Sequence, residues 1–170
     1  MLFNFDTEPL MHIHIFTTGG TFDKIYHDAL SQFTIGEPMA AELLTEAGVN
    51  LSYSVDSLLK KDSLELTDAD RELLAEQVQQ SPHQHILMIH GTDTMALTAQ
   101  QLSRIPNKTI VLTGAMQPAR MRQSDAPFNL GFAIGALQCL ESGVYIAMNG
   151  QIFNADNVQK NRRMSRFETL

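Results

Sequence analysis

The chain has one cysteine, Cys139, in 170 residues. A lone thiol forms no internal disulfide, so a cross-linked secreted scaffold is excluded and a reducing, cytoplasmic setting is expected. Cys139 lies in "GALQCLESG", which reads as a helix face without an adjacent charged partner, so a buried, inert thiol is expected. Cations are also scarce. Twelve Lys and Arg against 19 Asp and Glu give a net charge of −7, which argues against nucleic-acid or anionic-membrane partners. No apolar run approaches the roughly 18 residues of a membrane span. The opening "MLFNFDTEPL" lacks the cationic and apolar regions of a signal peptide, and residues 1–10 are expected to form a short arm. Repeats, low-complexity tracts and breaks in composition are missing too. With 44% apolar residues, a single domain over 1–170 has material for a full core.

What is present is an alternation of apolar runs and helix-forming segments. The runs "MHIHIFTT" (11–18), "VNLSYSVDSL" (49–58), "HILMI" (85–89), "KTIVLTG" (108–114) and "VYIAMNG" (144–150) read as strands. "HILMI" is apolar almost throughout, as a strand covered on both faces must be. Between them, "EPMAAELLTEAG" (37–48) carries Pro38 near a helix start and Gly48 as a stop. "LTDADRELLAEQVQQSP" (66–82) has Thr67 as N-cap, with Leu73, Leu74 and Val78 placed on one face. "MALTAQQLSRI" (95–105) and "APFNLGFAIGALQCLESG" (126–143, closed by Gly143) complete the helices. "FDKIYHDALSQFTIG" (22–36) has no helical period and fits a hairpin or mobile loop. The basic run from Gln159 to Arg166 reads as a solvated terminal segment. Alternation through short loops implies an α/β fold, a doubly wound and mostly parallel sheet flanked by helices.

In such sheets the ligand crevice lies beyond the carboxyl ends of the strands. Three runs end in small and hydroxyl residues, "TTGGT", "HGTDT" and "LTGAM", so they are expected to open on one polar, glycine-lined pocket. The pair Gly19-Gly20 permits a close backbone approach or a turn with φ > 0. "TTGGT" matches neither dinucleotide nor P-loop patterns, although a phosphate site stays open as an alternative. The other reading presents Thr21 as a nucleophile. Thr92 and Asp93 stand where a strand meets a helix N-terminus, which suits both capping and the holding of a carboxylate. His90 is read as a structural histidine. No histidine pair has ligand spacing near the pocket, so neither a metal nor a cofactor is expected.

"TTGGTF" followed by "HGTDTM" resembles the two signature motifs of bacterial-type L-asparaginases. "GAMQPARMRQSDAPFNLGFAIGAL", "VYIAMNGQIFNADNVQKN" and "KKDSLELT" are similar to further segments of that family. The resemblance implies an asparaginase N-terminal-domain-like, flavodoxin-like fold and a short-chain, single-domain enzyme with no counterpart of the family's second domain. It implies an amidohydrolase that converts L-asparagine to L-aspartate and ammonia. By the same resemblance Thr21 is the nucleophile, and Thr92, Asp93 and Lys160 form a second hydroxyl–acid–lysine group. Ser63 holds the substrate carboxylate, Asp93 its amino group, and the Ala115 carbonyl lies near the amide. Backbone groups of Gly20, Gly91 and Thr92 border the substrate, and the Gly91 and Thr92 N–H groups are candidates to hold a developing oxyanion. Burial would favour a neutral Lys160 as the base, while Asp93 opposes that. Phe33 stands at the lid-tyrosine position, so Tyr26 is the candidate substitute, and Leu64 replaces a polar contact after Ser63. High KM and a homo-oligomer, dimer or tetramer, are the corresponding expectations. The alternative is a non-catalytic sensor that binds asparagine or aspartate.

Overall fold

The computed structural model describes residues 11–170, and the expected arm over 1–10 lies outside them. In chain order the elements are β1 (His12–Thr17), β2 (Lys24–His27), β3 (Gln32–Ile35), α1 (Ala40–Glu46), β4 (Ser52–Ser57), α2 (Asp68–Gln80), β5 (His85–Ile89) and α3 (Met95–Leu102). There follow β6 (Thr109–Thr113), α4 (Ala126–Cys139), β7 (Gly143–Met148), β8 (Gln151–Asn154), β9 (Gln159–Asn161) and β10 (Arg166–Glu168).

One six-stranded sheet runs in the order β4-β1-β5-β6-β7-β8. Its first five strands pair parallel and β8 returns antiparallel from β7. Asn149 and Gly150, both with positive φ, turn that corner. The parallel strands therefore lie second, first, third, fourth and fifth in chain order, and the order reverses between β1 and β5. That reversal opens the crevice of a doubly wound sheet at the carboxyl ends of those two strands. The register keeps the ends level: Thr17 pairs with Ser57 and Ile89, and Ile89 pairs with Thr113.

Strand periodicity divides the core into two layers. Ile86 and Met88 face the layer holding Leu74, Val78, Met95 and Leu102 of α2 and α3. Leu87 and Ile89 face the other, with Leu44 of α1 and Leu130, Ala133 and Leu137 of α4. All four of these β5 side chains are fully buried, as an apolar run covered on both sides requires. Among the described residues, no helix is long and apolar enough to cross a membrane.

Several sequence expectations meet the structure differently. Thr67 does cap α2: its hydroxyl accepts the Asp70 N–H, and the Asp70 carboxylate accepts the Thr67 N–H, a closed box. Leu73, however, is exposed, because the buried stripe of α2 runs through Arg71, Leu74, Ala75 and Val78. Helix α4 ends at Cys139, and Gly143 opens β7, its N–H given to the Lys108 carbonyl. Cys139 is exposed: two residues past the buried Leu137, it falls on the face of α4 turned away from the sheet. The segment over 22–36 is a hairpin, β2 against β3, and the basic run forms a second hairpin, β9 against β10.

Candidate active site

The site is built where β1 and β5 end. Thr18 gives its N–H to Ile89 O at 3.0 Å, so the two chains leave the sheet side by side. Gly20 then adopts φ 81°, and a Cβ there would stand 2.6 Å from the Gly91 Cα. Only a glycine at position 20 permits that contact. It brings the Thr21–Asp23 turn against the loop 90–94. On the far side of Gly91 stands Ser63, whose Oγ a Cβ on Gly91 would meet at 2.8 Å.

Ser63 begins a short 3₁₀ turn capped by Asp62, whose carboxylate accepts the Leu64 N–H. Burial pushes the Asp62 carboxyl up, but the Lys24 hydrogen bond and the turn N–H groups outweigh it and hold the group below its ordinary value. Ser63 Oγ accepts the Asp93 N–H at 3.2 Å, and its carbonyl accepts the Thr94 hydroxyl at 2.7 Å. The Ser63 turn and the Asp93 loop are thus one hydrogen-bonded unit.

Lys160 enters from β9, 13% exposed. Its Nζ donates to Thr92 Oγ1 at 2.7 Å and to Asp93 Oδ1 at 2.8 Å. Arg162, two residues on, brings Nε to 3.5 Å from the same Asp93 oxygen. The structure therefore brings together Gly20, Ser63, Gly91, Thr92, Asp93 and Lys160. Thr21 follows Gly20 directly, half-buried, and among the described residues its hydroxyl forms no hydrogen bond. Tyr26 lies further out: it is exposed on β2, its ring edge-on to its cross-strand neighbour Phe33, centroids 5.3 Å apart.

Ala115 is buried in the loop after β6, and that loop hangs on Asp125. Although Asp125 stands at the α4 N-cap, it makes no side-chain bond to the helix N–H groups. Its carboxylate instead accepts the N–H groups of Met116 and Gln117 and the Asn129 amide. Asn129 in turn donates to Gly114 O and accepts the Asn149 N–H, which ties the ends of β6 and β7 together. Sequence reasoning missed this hub and Arg162. An Asp before "APFN" signals a cap, and only the fold turns that cap toward the loop. It also missed Asp23, a buried carboxylate whose Oδ1 accepts the Met39 N–H at 2.9 Å. Burial raises that carboxyl to about 6 against the Met39 bond and the Lys60 charge.

His90 is fully buried. Its Nδ1 donates to Gly91 O at 2.7 Å, and Nε2 accepts the Thr98 hydroxyl at 2.8 Å. Burial pushes its pKa down to about 4, so it is a neutral strut beneath the loop. Among the described residues, no group of three His, Cys, Asp or Glu side chains is arranged to hold a metal ion.

Comparison with known proteins places the chain among asparaginase relatives. The chain is 32% identical over 129 residues to the glutaminase-asparaginase of Acinetobacter glutaminasificans, covering 72% of this chain and 38% of that one. It is 29% identical over 162 residues to a probable periplasmic L-asparaginase of Haemophilus influenzae, covering 89% and 46%. Relatives also include a glutamyl-tRNA(Gln) amidotransferase polypeptide of Methanococcus maripaludis, 30% identical over 164 residues. Among solved structures, the thermostable L-asparaginase of Thermococcus kodakarensis superposes with a TM-score of 0.83 at 27% identity, over 94% of this chain and 51% of that one. The chain thus spans about half the length, or less, of the relatives it matches. Residues 12–169 match the family model described as asparaginase, N-terminal, and the chain belongs to that family.

Proposed function

We propose that the site hydrolyses the side-chain amide of L-asparagine, with Thr21 as nucleophile. The observation that carries this reading is the Lys160 bridge between Thr92 and Asp93, beside the backbone contact of Gly20 and Gly91. A threonine hydroxyl attacks an amide only when a base removes its proton. In this reading the acceptor is the Lys160–Asp93 pair: as the Lys160 ammonium passes one proton to Asp93 Oδ1, its Nζ takes up the proton of Thr21, directly or through the Thr92 hydroxyl. Thr21 Oγ bonds to the amide carbon, and the carbonyl oxygen takes up the electron pair. N–H groups at Gly91 and Thr92 are candidates to hold that oxyanion, each worth about 3 kcal/mol. When the pair returns, the C–N bond breaks and the nitrogen leaves as ammonia with the transferred proton. Water then adds to the Thr21 ester, the C–Oγ bond breaks, and aspartate departs.

Weak substrate binding belongs to the same reading. Asp93 is the carboxylate offered to a substrate ammonium, and it already holds Lys160 and Arg162. A charged group left short of a partner forgoes roughly 1.5–3 kcal/mol, so KM is expected to be raised on the order of 10- to 100-fold. A second reading, binding without turnover, is favoured by the position of Tyr26, which packs on Phe33 out on the hairpin. Ammonia release in a coupled assay separates the two. Asparagine is expected to yield ammonia, and Thr21→Ala to reduce release to background while circular dichroism is unchanged. Release that survives in Thr21→Ala removes the threonine mechanism; stabilisation by aspartate without any release favours the sensor.

A further inference from the structure

The chain carries a net −7, yet its candidate pocket is locally cationic. Asp93 Oδ1 is held by two cations, Lys160 Nζ at 2.8 Å and Arg162 Nε at 3.5 Å. Among the described residues every other paired carboxylate has one basic partner: Asp62 has Lys24, Asp70 has Lys61, and Glu168 has Arg166. The charges around Asp93 therefore sum to +1 where the neighbouring pairs sum to zero. The Ser63 hydroxyl lies against the same loop and brings no charge of its own.

Resting on the amidohydrolase reading above, we propose that Arg162 is a specificity-determining residue that tilts the site toward carboxamides bearing a free carboxylate and no α-ammonium, the monoamides of short dicarboxylic acids. An α-amino substrate brings a third cation to a carboxylate that already has two. A substrate lacking the amine brings only its carboxylate, which the surplus charge attracts. Arg162 is suited to the part because it is 64% exposed, so its guanidinium edge stays open to a ligand while Nε keeps Asp93 in reach. Lys160 is enclosed between Thr92 and Asp93 and has no such freedom.

The test compares L-asparagine with succinamate, the monoamide of butanedioic acid, on the wild-type chain, Arg162→Gln and Arg162→Lys. One exposed unit charge at side-chain distance is worth roughly three- to tenfold in such a ratio. The ratio of kcat/KM for asparagine over succinamate is expected to rise by that factor in Arg162→Gln, and to stay within about twofold in Arg162→Lys. In about 1 M salt the difference between wild type and Arg162→Gln is expected to shrink. A ratio unmoved in Arg162→Gln, or moved equally by Arg162→Lys, overturns the proposal while leaving the hydrolase reading in place. If wild type hydrolyses neither amide, that reading fails. The calorimetric ratio of L-aspartate to succinate binding across the same three proteins then decides on Arg162, by the same factor and the same refuting outcome.

Discussion

Asp23 offers a sharp test of the structure because its cost depends on pH. It is 1% exposed, it accepts one N–H from Met39, and its pKa stands at about 6 against an ordinary 3.8. A raised folded pKa means that the fold prefers the protonated acid. The stabilisation is complete below 3.8 and is lost as pH rises through 6, so the ionised carboxylate is a burden at neutral pH. The gap between 3.8 and 6 corresponds to about 3 kcal/mol. Asp23→Asn keeps an oxygen for the Met39 N–H and removes the titration. Its stability relative to wild type should therefore increase by about 1.4 kcal/mol between pH 5 and pH 8, most of the remainder lying below pH 5. Comparing the variant with wild type at both pH values cancels any fixed cost of the amide. Urea denaturation followed by circular dichroism measures it, and for a chain of this size the expected increase in relative Tm is roughly 3–6 °C. A stability difference that is flat from pH 5 to pH 8, or that moves the opposite way, would refute the buried-carboxylate argument.

Two further outcomes follow from single contacts and exposures in the fold. Gly20→Ala places a Cβ 2.6 Å from the Gly91 Cα at φ 81°, so it should destabilise the chain by about 2–4 kcal/mol and depress ammonia release; a urea midpoint equal to that of wild type would contradict the backbone contact. Cys139 is exposed, so the native protein should react with one equivalent of an aromatic disulfide at a rate near that of a free thiol. A thiol silent until denaturant is added would restore the buried reading.

The fold was legible where one physical signal acted alone. "HILMI" is apolar on both faces because both faces of β5 are covered, and Thr67 caps α2 because an unbonded N–H needs an acceptor wherever the helix goes. Legibility failed where a local signal had two uses. Gly143 looks like a helix stop, yet the chain leaves α4 four residues earlier, with Leu140 already extended. Leu73 and Leu74 are equally apolar, and only the direction of the sheet makes Leu74 the buried one. Cys139 departs from expectation for a related reason: the helix periodicity that buries Leu137 turns Cys139 to the outer face.

The site divides along the same line. Thr21, Thr92 and Asp93 stood out as candidates because glycines and hydroxyls recur after apolar runs, and a doubly wound sheet collects strand ends on one edge. Asp125, Asn129, Arg162 and Asp23 act through partners far away in sequence, and nothing in their own neighbourhoods marks them. Asp125 shows why. Its place before α4 is that of an ordinary cap, but its oxygens serve Met116 and Gln117, so the loop that carries Ala115 depends on a residue whose local signature describes a different task. Arg162 is the complementary case. Inside a basic run it reads as a solvated charge, and mostly it is; but β9 carries Lys160, the turn just past β9 carries Arg162, and both reach the same Asp93 oxygen. Charge around Asp93 is therefore set by where this hairpin places two side chains more than by composition.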